Sequence, residues 1–360
     1  MALVIPTIEG LQPYEGGKPI EELARELGIT DAVKLASNEN PLGPSPRALE
    51  AARRVVGDSN RYPDGAVFAL RDKLAQKHGV GMDELLLGCG SNELLDLAVR
   101  TFCTPAQHIV FAEPAFVVYR IAALASGIPF TDVPLTAGLV HDLPAMAAAV
   151  KPETRLMFVA NPNNPTGTHV GRAAVEKLLR EVPPEVIIVM DEAYLEYADA
   201  PDYPDSLELR GLRERLLVCR TFSKIYGLAA LRVGYAVGPR KLIDYMNRVR
   251  APFNVNTMAQ AAALAALDDR DHVQTAQALN QKERKRLTET LTARGLGVAP
   301  SQANFVLVDV KRPARAVYDA LLRKGVIVRP FASLPSSLRV TVGTERENDR
   351  FLAALGEVLS

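Results

Sequence analysis

The segment Leu216-Leu217-Val218-Cys219-Arg220-Thr221-Phe222-Ser223-Lys224 decides the fold, because a short apolar run ends there in a lysine flanked by hydroxyl side chains. Arg232 follows shortly after it. A lysine at a strand end can form an imine with an aldehyde, and hydroxyls with an arginine suit a phosphate dianion. Taken alone, however, a Ser-Lys pair more often marks a solvated surface lysine. The rest of the chain has to distinguish these two interpretations.

Short apolar runs alternate with helical patterns along the chain. They are Leu85–Leu87, Ile109–Phe111, Leu156–Val159, Val186–Met190, Leu216–Val218 and Val233–Val237. Runs of this kind between helices indicate a buried, mostly parallel sheet, so we predict an α/β fold. Ligands of such sheets bind just beyond the carboxyl ends of the strands. The residues that follow each run are therefore the candidates for a functional site.

The two ends of the chain have other patterns. The first forty residues are rich in Pro and Gly, with one helical pattern from about Ile20 to Leu27, and are typical of an arm. After residue 252 come an alanine-rich helix and a long polar helix to about Arg294. They are followed by the segments Asn304–Asp309, 313–323, Val326–Val328 and Leu338–Val342. We predict an arm with part of a small domain in residues 1–36, a large domain in 37–257 and a small α+β domain in 258–360.

A carboxylate follows the run Val186–Met190, in the segment Asp191-Glu192-Ala193-Tyr194. A carboxylate at the end of a buried strand is costly unless it meets a positive charge. A protonated pyridine nitrogen is such a partner, and the pair keeps the ring an electron sink. Tyr194 could reach the phenolic oxygen of the same ring. The alternative for Asp191 is an ordinary helix N-cap.

Two further runs end in polar turns. One is Asn161-Pro162-Asn163-Asn164-Pro165-Thr166-Gly167, where Asn164 could present its amide to a ring oxygen, although an ordinary turn explains most of the composition. The other is Gly88-Cys89-Gly90-Ser91-Asn92-Glu93, which opens a helix and could bind phosphate through backbone amides, or could be a plain strand-to-helix turn. Together, the segments that follow four of the apolar runs supply an amine, a carboxylate, an amide and backbone N–H groups that can bind phosphate. One cofactor, pyridoxal phosphate, needs all four.

The overall composition narrows the function classes. Lysine plus arginine equals aspartate plus glutamate at 42 each, so net charge indicates neither a nucleic-acid nor a membrane partner. Three cysteines form no Cys-x-x-Cys pair, and five histidines form no His-x-x-x-His pair, so we expect no metal site and a reducing compartment. The apolar run within the first ten residues is too short for a signal peptide. We therefore expect a cytoplasmic protein.

These motifs carry a family resemblance that runs nearly end to end. The chain resembles the fold-type I aminotransferases and, within them, the histidinol-phosphate aminotransferases. The resemblance rests on Pro13-Tyr14 with Gly17-Lys18-Pro19, on Leu35 to Pro41, Arg61-Tyr62-Pro63-Asp64-Gly65, Asn163 to Gly167, Asp191 to Tyr194, Arg220 to Lys224, Leu231 to Tyr235, Pro252 to Val255, Gln302 to Phe305 and Leu338 to Thr344. The cofactor motifs are specific to the superfamily. Related decarboxylases and aromatic aminotransferases share much of the pattern.

The resemblance implies a role for each matching residue. Lys224 would hold the cofactor as an imine and then move the substrate proton. Asp191 would pair with the ring nitrogen, and Asn164 and Tyr194 with the ring oxygen. The phosphate would be held by Ser91, Asn92, Thr221, Ser223 and Arg232. Phe116 would stack on the ring, where many relatives have Tyr. Tyr62 would reach the cofactor phosphate of a neighbouring protomer. Arg339 would bind the substrate anion, and Tyr14 and Arg329 would add contacts to the substrate phosphate.

The implied activity is amino transfer between L-histidinol phosphate and 2-oxoglutarate, giving imidazole acetol phosphate and glutamate, in a homodimer with shared sites. Three alternatives stay open. An aromatic aminotransferase and an O-phospho amino acid decarboxylase would use the same scaffold, and the decarboxylase would need no 2-oxo acid. A transcription regulator would carry a DNA-binding domain, but no basic helix-turn-helix segment precedes residue 40. For Arg339, the alternative is an ion pair with Glu345.

Overall fold

The computed structural model describes residues 3–11, 13–14 and 16–360 of the chain. Its α-helices are α1 Pro6–Glu9, α2 Ile20–Leu27, α3 Pro46–Val55, α4 Phe68–His78, α5 Gly90–Phe102, α6 Val118–Ala125, α7 Leu143–Ala148, α8 Arg172–Glu181, α9 Arg240–Val249, α10 Thr257–Ala266, α11 Arg270–Ala293, α12 Ala314–Arg323 and α13 Glu345–Leu359. Its strands are β1 Val33–Lys34, β2 Leu85–Gly88, β3 His108–Glu113, β4 Phe130–Pro134, β5 Thr154–Ala160, β6 Ile187–Asp191, β7 Leu216–Thr221, β8 Gly234–Val237, β9 Gly297–Val298, β10 Phe305–Asp309, β11 Val326–Ile327, β12 Arg329–Phe331 and β13 Leu334–Thr341.

Seven strands form one sheet in the order β2-β8-β7-β6-β5-β3-β4. Only β8 runs antiparallel to its neighbours within this sheet, so the predicted α/β fold with a mostly parallel sheet is confirmed. All six predicted apolar runs lie in it. The seventh strand, β4, was not predicted. It is one of the two edge strands and, unlike the buried edge strand β2, is half exposed, so its sequence Phe130-Thr131-Asp132-Val133-Pro134 lacks a continuous apolar run.

Both faces of this sheet are covered, which explains why its strands are apolar throughout. On β5, Met157 and Val159 belong to the core on one face, whereas Leu156 and Phe158 belong to the core on the other. All four side chains are completely buried. Polar chemistry is therefore confined to the strand ends, where the chain leaves the two apolar layers.

A second sheet, with the order β12-β13-β10-β9, is antiparallel and packs its own apolar core. The alanine-rich and the long polar helices are confirmed as α10 and α11. The short strands β1, β9 and β12 were not predicted. β1 pairs in parallel with β11, and Leu23 of the confirmed helix α2 packs against Ile327, so the N-terminal segment lies against C-terminal elements. The domain boundaries at residues 36 and 257 stay a prediction.

The parallel register brings three strand ends to one edge of the large sheet. Ala160 at the end of β5 pairs with Asp191 at the end of β6, which pairs with Cys219 near the end of β7. The segments that follow these strands therefore meet at the same place. Within the described residues, no helix is long and apolar enough to cross a membrane.

Candidate active site

A cavity of about 230 Å³ lies at this edge of the sheet. Among its walls are twelve of the predicted site residues, namely Tyr14, Ser91, Asn92, Phe116, Asn164, Asp191, Tyr194, Thr221, Ser223, Lys224, Arg232 and Arg339. A neighbouring cavity of about 560 Å³ shares Tyr14, Phe116, Asn164 and Arg339 with the first, and Arg329 lines it. Tyr62 lines neither cavity. The structure thus gathers residues from four separate strand ends around one space.

Lys224 lies three residues beyond β7 and is partly buried. Its Nζ donates a hydrogen bond to the carbonyl oxygen of Ser37 at 3.3 Å and lies 5.5 Å from the centre of the Tyr194 ring. Burial, and then the positive charge of Arg339, lowers the pKa of Lys224 to about 8. A neutral amine is therefore accessible near neutral pH. The alternative of a solvated surface lysine is wrong.

Asp191 is the last residue of β6 and is 4% exposed. Its Oδ2 accepts a hydrogen bond from the hydroxyl of Tyr119 at 2.8 Å. Its Oδ1 is buried and has no hydrogen-bond partner within the described part of the chain. Burial raises the pKa of Asp191 to about 6, and the Tyr119 hydrogen bond opposes this shift. Such an oxygen is expensive to leave unpaired, so it points to a positively charged or hydrogen-donating ligand.

Of the three asparagines in the turn after β5, two build the turn and one lines the cavity. Asn161 exchanges hydrogen bonds with the backbone of Val170, and Asn163 Nδ2 donates to Thr166 Oγ1 at 2.9 Å. The third, Asn164, accepts a hydrogen bond at Oδ1 from Arg339 Nη1 at 2.5 Å. Because a guanidinium only donates, this contact places the amide nitrogen of Asn164 on the side that remains for a ligand.

The predicted phosphate site lies at the start of α5, where Ser91 and Asn92 occupy the first turn. The first backbone N–H groups of a helix have no partner within the helix and attract anions. Arg232 Nη1 donates to Ser223 Oγ at 3.2 Å, and Thr221 Oγ1 donates to the same oxygen at 3.0 Å. Gly90 has a φ of +74°, and a Cβ there would lie 2.4 Å from Arg232 Nη2. Only glycine lets the arginine lie against the helix start.

Two arginines lie side by side on neighbouring strands. Arg329 of β12 and Arg339 of β13 are directly paired in the antiparallel register. Arg339 is 7% exposed, Nη2 donates to the carbonyl oxygen of Ala36 at 2.6 Å, and Nε has no partner among the described residues. Burial lowers the pKa of Arg339 to about 10. Glu345 instead pairs with Lys282 at 2.9 Å, so the alternative of an Arg339–Glu345 ion pair is wrong.

Three of the four predicted aromatic side chains, Phe116, Tyr14 and Tyr62, differ in their surroundings. Phe116 packs edge-on against Tyr119, with ring centres 5.9 Å apart, and contributes to the cavity wall. Tyr14 is 62% exposed, and the Arg329 guanidinium lies 5.6 Å from its ring centre. Tyr62 is 82% exposed and stacks on Phe253 at 4.7 Å. Within this chain, Tyr62 is therefore displayed at the surface.

Sequence reasoning assigned no role to three residues that the structure places at the site. Ser37, Asn38 and Glu39 line the cavity, and Asn38 Nδ2 donates to the Tyr194 hydroxyl at 2.9 Å. Their segment matched the family pattern, but no strand run precedes it to mark it as a strand end. Tyr119 was also missed, because it lies inside helix α6, where a buried tyrosine is normally a core residue.

A buried ion pair holds the two central strand ends together. Arg220 donates from Nε and Nη2 to Glu192 Oε2 at 3.0 and 2.7 Å, and both side chains are almost fully buried. Ser206 N donates to the other carboxylate oxygen at 2.9 Å. Arg220 precedes Lys224 by four residues and Glu192 follows Asp191, so the pair sets the spacing between the amine and the carboxylate. Breaking such a pair is strongly destabilising.

These observations fit pyridoxal phosphate. The orphaned Asp191 Oδ1 suits a protonated ring nitrogen, Lys224 suits the aldehyde, and the start of α5 with Arg232 suits the phosphate. No cluster of three His, Cys, Asp or Glu side chains that could hold a metal lies within residues 3–11, 13–14 and 16–360. The fold and the site together define a pyridoxal-phosphate-dependent enzyme of fold type I.

Comparison with known proteins gives the family. Residues 30–355 match the family described as aminotransferase class I and II, and the chain belongs to it. It is 52% identical to histidinol-phosphate aminotransferase 2 of Pseudomonas aeruginosa, over 100% of this chain and 98% of that protein. It is 50% identical to histidinol-phosphate aminotransferase 1 of Nitrosococcus oceani, over 98% and 95%. The crystal structure of histidinol-phosphate aminotransferase from Sinorhizobium meliloti in complex with pyridoxal-5'-phosphate matches with a TM-score of 0.91 and 30% identity, over 100% and 98% of the two chains.

Proposed function

We propose that this enzyme transfers an amino group between L-histidinol phosphate and 2-oxoglutarate, giving imidazole acetol phosphate and glutamate. The observation that carries the substrate assignment is the paired register of Arg329 and Arg339. Arg339 lines both cavities and Arg329 lines the second one, so the pair places two guanidinium groups where an anion of the substrate can bind. The names of the relatives support the same substrate.

The two substrates make different demands on this arginine pair. Histidinol phosphate carries a phosphate dianion and no carboxylate, whereas glutamate carries carboxylates. A guanidinium binds either group as a planar fork with two parallel hydrogen bonds. We assign Arg339 to both anions, because it lines the first cavity beside Lys224, and Arg329 with Tyr14 to the additional charge of the phosphate.

The catalytic roles follow from the positions of the chain's own groups. When bound, the cofactor supplies an electron sink that makes the substrate α-proton acidic. Lys224 Nζ would hold the cofactor and, as a free amine, would take that proton from the substrate α-carbon and deliver it to the cofactor carbon on the other side of the imine nitrogen. Asp191 Oδ1 would accept a hydrogen bond from the protonated ring nitrogen. Tyr194 and Asn164 contact the ring oxygen.

The phosphate end of the cofactor is assigned to the start of α5. Ser91 and Asn92 contribute there, together with Thr221, Ser223 and Arg232. Phe116 is assigned to one face of the ring. It has no hydroxyl, so this chain holds that face by packing alone.

We assign the exposed Tyr62 to the active site of a second copy of the chain. Tyr62 is 82% exposed and stacks on Phe253, so its ring edge and hydroxyl are available to a partner. The working unit would then be a twofold-symmetric homodimer with two shared sites.

The three cysteines are all free thiols, in agreement with a reducing, cytoplasmic location.

An amino-donor panel tests the proposal. Histidinol phosphate, phenylalanine, tyrosine and O-phosphothreonine are compared at equal concentration with and without 2-oxoglutarate. We expect histidinol phosphate to give the highest kcat/KM and turnover to require the 2-oxo acid. A preference for phenylalanine would move the protein to the aromatic aminotransferases. Release of carbon dioxide from O-phosphothreonine without a 2-oxo acid would make it a decarboxylase.

A further inference from the structure

Asn38 is a buried residue beside the cavity, and each of its four polar groups has a hydrogen-bond partner. It is 1% exposed, and its φ of +56° lies in the left-handed region, which asparagine tolerates better than most residues. Its backbone N–H donates to Thr341 Oγ1 at 2.9 Å, and its carbonyl oxygen accepts from Asn304 Nδ2 at 3.0 Å. The backbone of Asn38 is thus held from two sides by C-terminal segments.

The contact with Thr341 determines which way the Asn38 amide faces. Thr341 Oγ1 accepts the Asn38 backbone N–H, so its own proton is available to donate. The acceptor is Asn38 Oδ1, at 3.1 Å. Since Oδ1 is on the Thr341 side, Nδ2 is on the side of Tyr194, and it donates to the Tyr194 hydroxyl at 2.9 Å.

The direction of this bond assigns the proton of Tyr194. A phenolic oxygen that accepts from Asn38 Nδ2 has its own O–H directed elsewhere. Tyr194 is 4% exposed and lines the cavity, so its O–H group is directed toward the cavity. Thr341 lies two residues after Arg339 on β13, so one strand end carries both the substrate arginine and the residue that orients Asn38.

We propose that Asn38, oriented by Thr341, is a positioning residue that makes Tyr194 a hydrogen-bond donor toward the ring oxygen of the cofactor. The inference rests on the role proposed above for Tyr194. The ring oxygen shares a proton with the imine nitrogen, and a donor to that oxygen weakens its hold on the proton. A well-oriented Tyr194 therefore lowers the pH at which the bound cofactor loses this proton.

The readout is the pH midpoint of the visible absorbance change of the bound cofactor, without substrate. Tyr194→Phe removes the donor and should raise the midpoint by roughly one pH unit, the effect of one hydrogen bond of ordinary net strength. Asn38→Gly keeps the backbone conformation and its main-chain hydrogen bonds but removes the amide. It should raise the midpoint by about half as much, because Tyr194 keeps its hydroxyl and loses only its orientation.

Thr341 provides the matched controls. Thr341→Val removes the hydroxyl that orients the amide and should raise the midpoint as Asn38→Gly does. Thr341→Ser keeps the hydroxyl and should retain the wild-type midpoint. On a Tyr194→Phe background, Asn38→Gly should add no further shift.

Three outcomes would overturn the inference, and they separate it from the proposed role of Tyr194. In the first, Tyr194→Phe raises the midpoint, but folded and cofactor-loaded Asn38→Gly and Thr341→Val keep the wild-type midpoint. This result would refute the positioning role of Asn38 and leave the role of Tyr194 intact. An additive shift in the double variant shows that Asn38 acts by another route. A wild-type midpoint in Tyr194→Phe removes the proposed role of Tyr194 together with the inference.

Discussion

The hydroxyl of Tyr119 donates a hydrogen bond to Asp191 Oδ2 at 2.8 Å, and this contact leaves Oδ1 as the carboxylate oxygen available to a ligand. The Tyr119 ring stacks on Phe158 at 4.7 Å and packs edge-on against Phe116. One completely buried tyrosine therefore connects the side chain assigned to the ring face with the side chain assigned to the ring nitrogen.

Tyr119→Phe should lower kcat while the fold persists, because the aromatic packing is unchanged. Without its donor, the pKa of Asp191 rises further, and the shared proton moves from the ring nitrogen toward the carboxylate. A buried acceptor left unsatisfied costs about 1–3 kcal/mol, so kcat should fall by roughly tenfold and cofactor affinity should fall with it. Tyr245→Phe, a change on the exposed side of α9 outside both cavities of the site, is the control. Wild-type kcat and affinity in Tyr119→Phe would mean that the hydroxyl has no part in holding the carboxylate.

Lys224 should be the residue to which the cofactor is attached. Reduction of the purified enzyme with borohydride, followed by peptide mapping, should place the label on Lys224. Lys224→Ala should lose activity by about a thousandfold or more, because one amine both holds the cofactor and moves the proton. The exposed Lys241→Ala should behave as wild type. A label on any other lysine would refute the assignment of this site.

The pH dependence of cofactor capture follows from the pKa of Lys224, which burial lowers to about 8. Only the neutral amine attacks the aldehyde, so the capture rate of the apoprotein should rise with pH and level off above about pH 8. Arg339→Gln removes a positive charge that lowers this pKa and should move the plateau to higher pH. Stopped-flow absorbance measures the rates. A plateau near the ordinary lysine pKa of 10.5 in the wild type would show that burial has no such effect.

Substitutions of Arg329 and Arg339 should change kcat/KM differently for the two amino donors. Arg339→Lys should impair both half-reactions, since a lysine cannot reproduce the planar fork. Arg329→Ala should reduce kcat/KM for histidinol phosphate by about ten- to a hundredfold and reduce it less for glutamate, because a charge-assisted hydrogen bond is worth about 1.5–3 kcal/mol. Arg323→Ala on the exposed side of α12 is the matched control. Equal losses for both donors in Arg329→Ala would remove its assignment to phosphate.

Subunit complementation tests the role of Tyr62. Tyr62→Asp and Lys224→Ala should each be nearly inactive, and mixed dimers should recover activity, since one of their two sites carries neither change. Subunit exchange is verified with tagged chains. If exchange occurs without recovery, each protomer builds its site alone.

The chemistry of the site was accessible from the sequence because it depends on which residue follows each apolar run. Lys224, Asp191 and Asn164 each follow a run that forms a strand of the large sheet, and the parallel arrangement brings those ends together. The edge strand β4 escaped prediction because a strand with one solvated side has no continuous apolar pattern.

The contacts between distant segments were decided by the tertiary structure alone. Asn38 and Thr341 are 303 residues apart, and Tyr119 and Asp191 are 72 apart. Neither contact leaves a periodic signal in the sequence, since a hydrogen bond between segments depends on packing and register. The pairing of Arg329 with Arg339 likewise follows from the register of β12 on β13, which places two like charges side by side. The sequence determined which groups are present and at which strand ends. The tertiary structure decided which of them touch, because a single hydrogen bond requires an accuracy of position that only the packed chain provides.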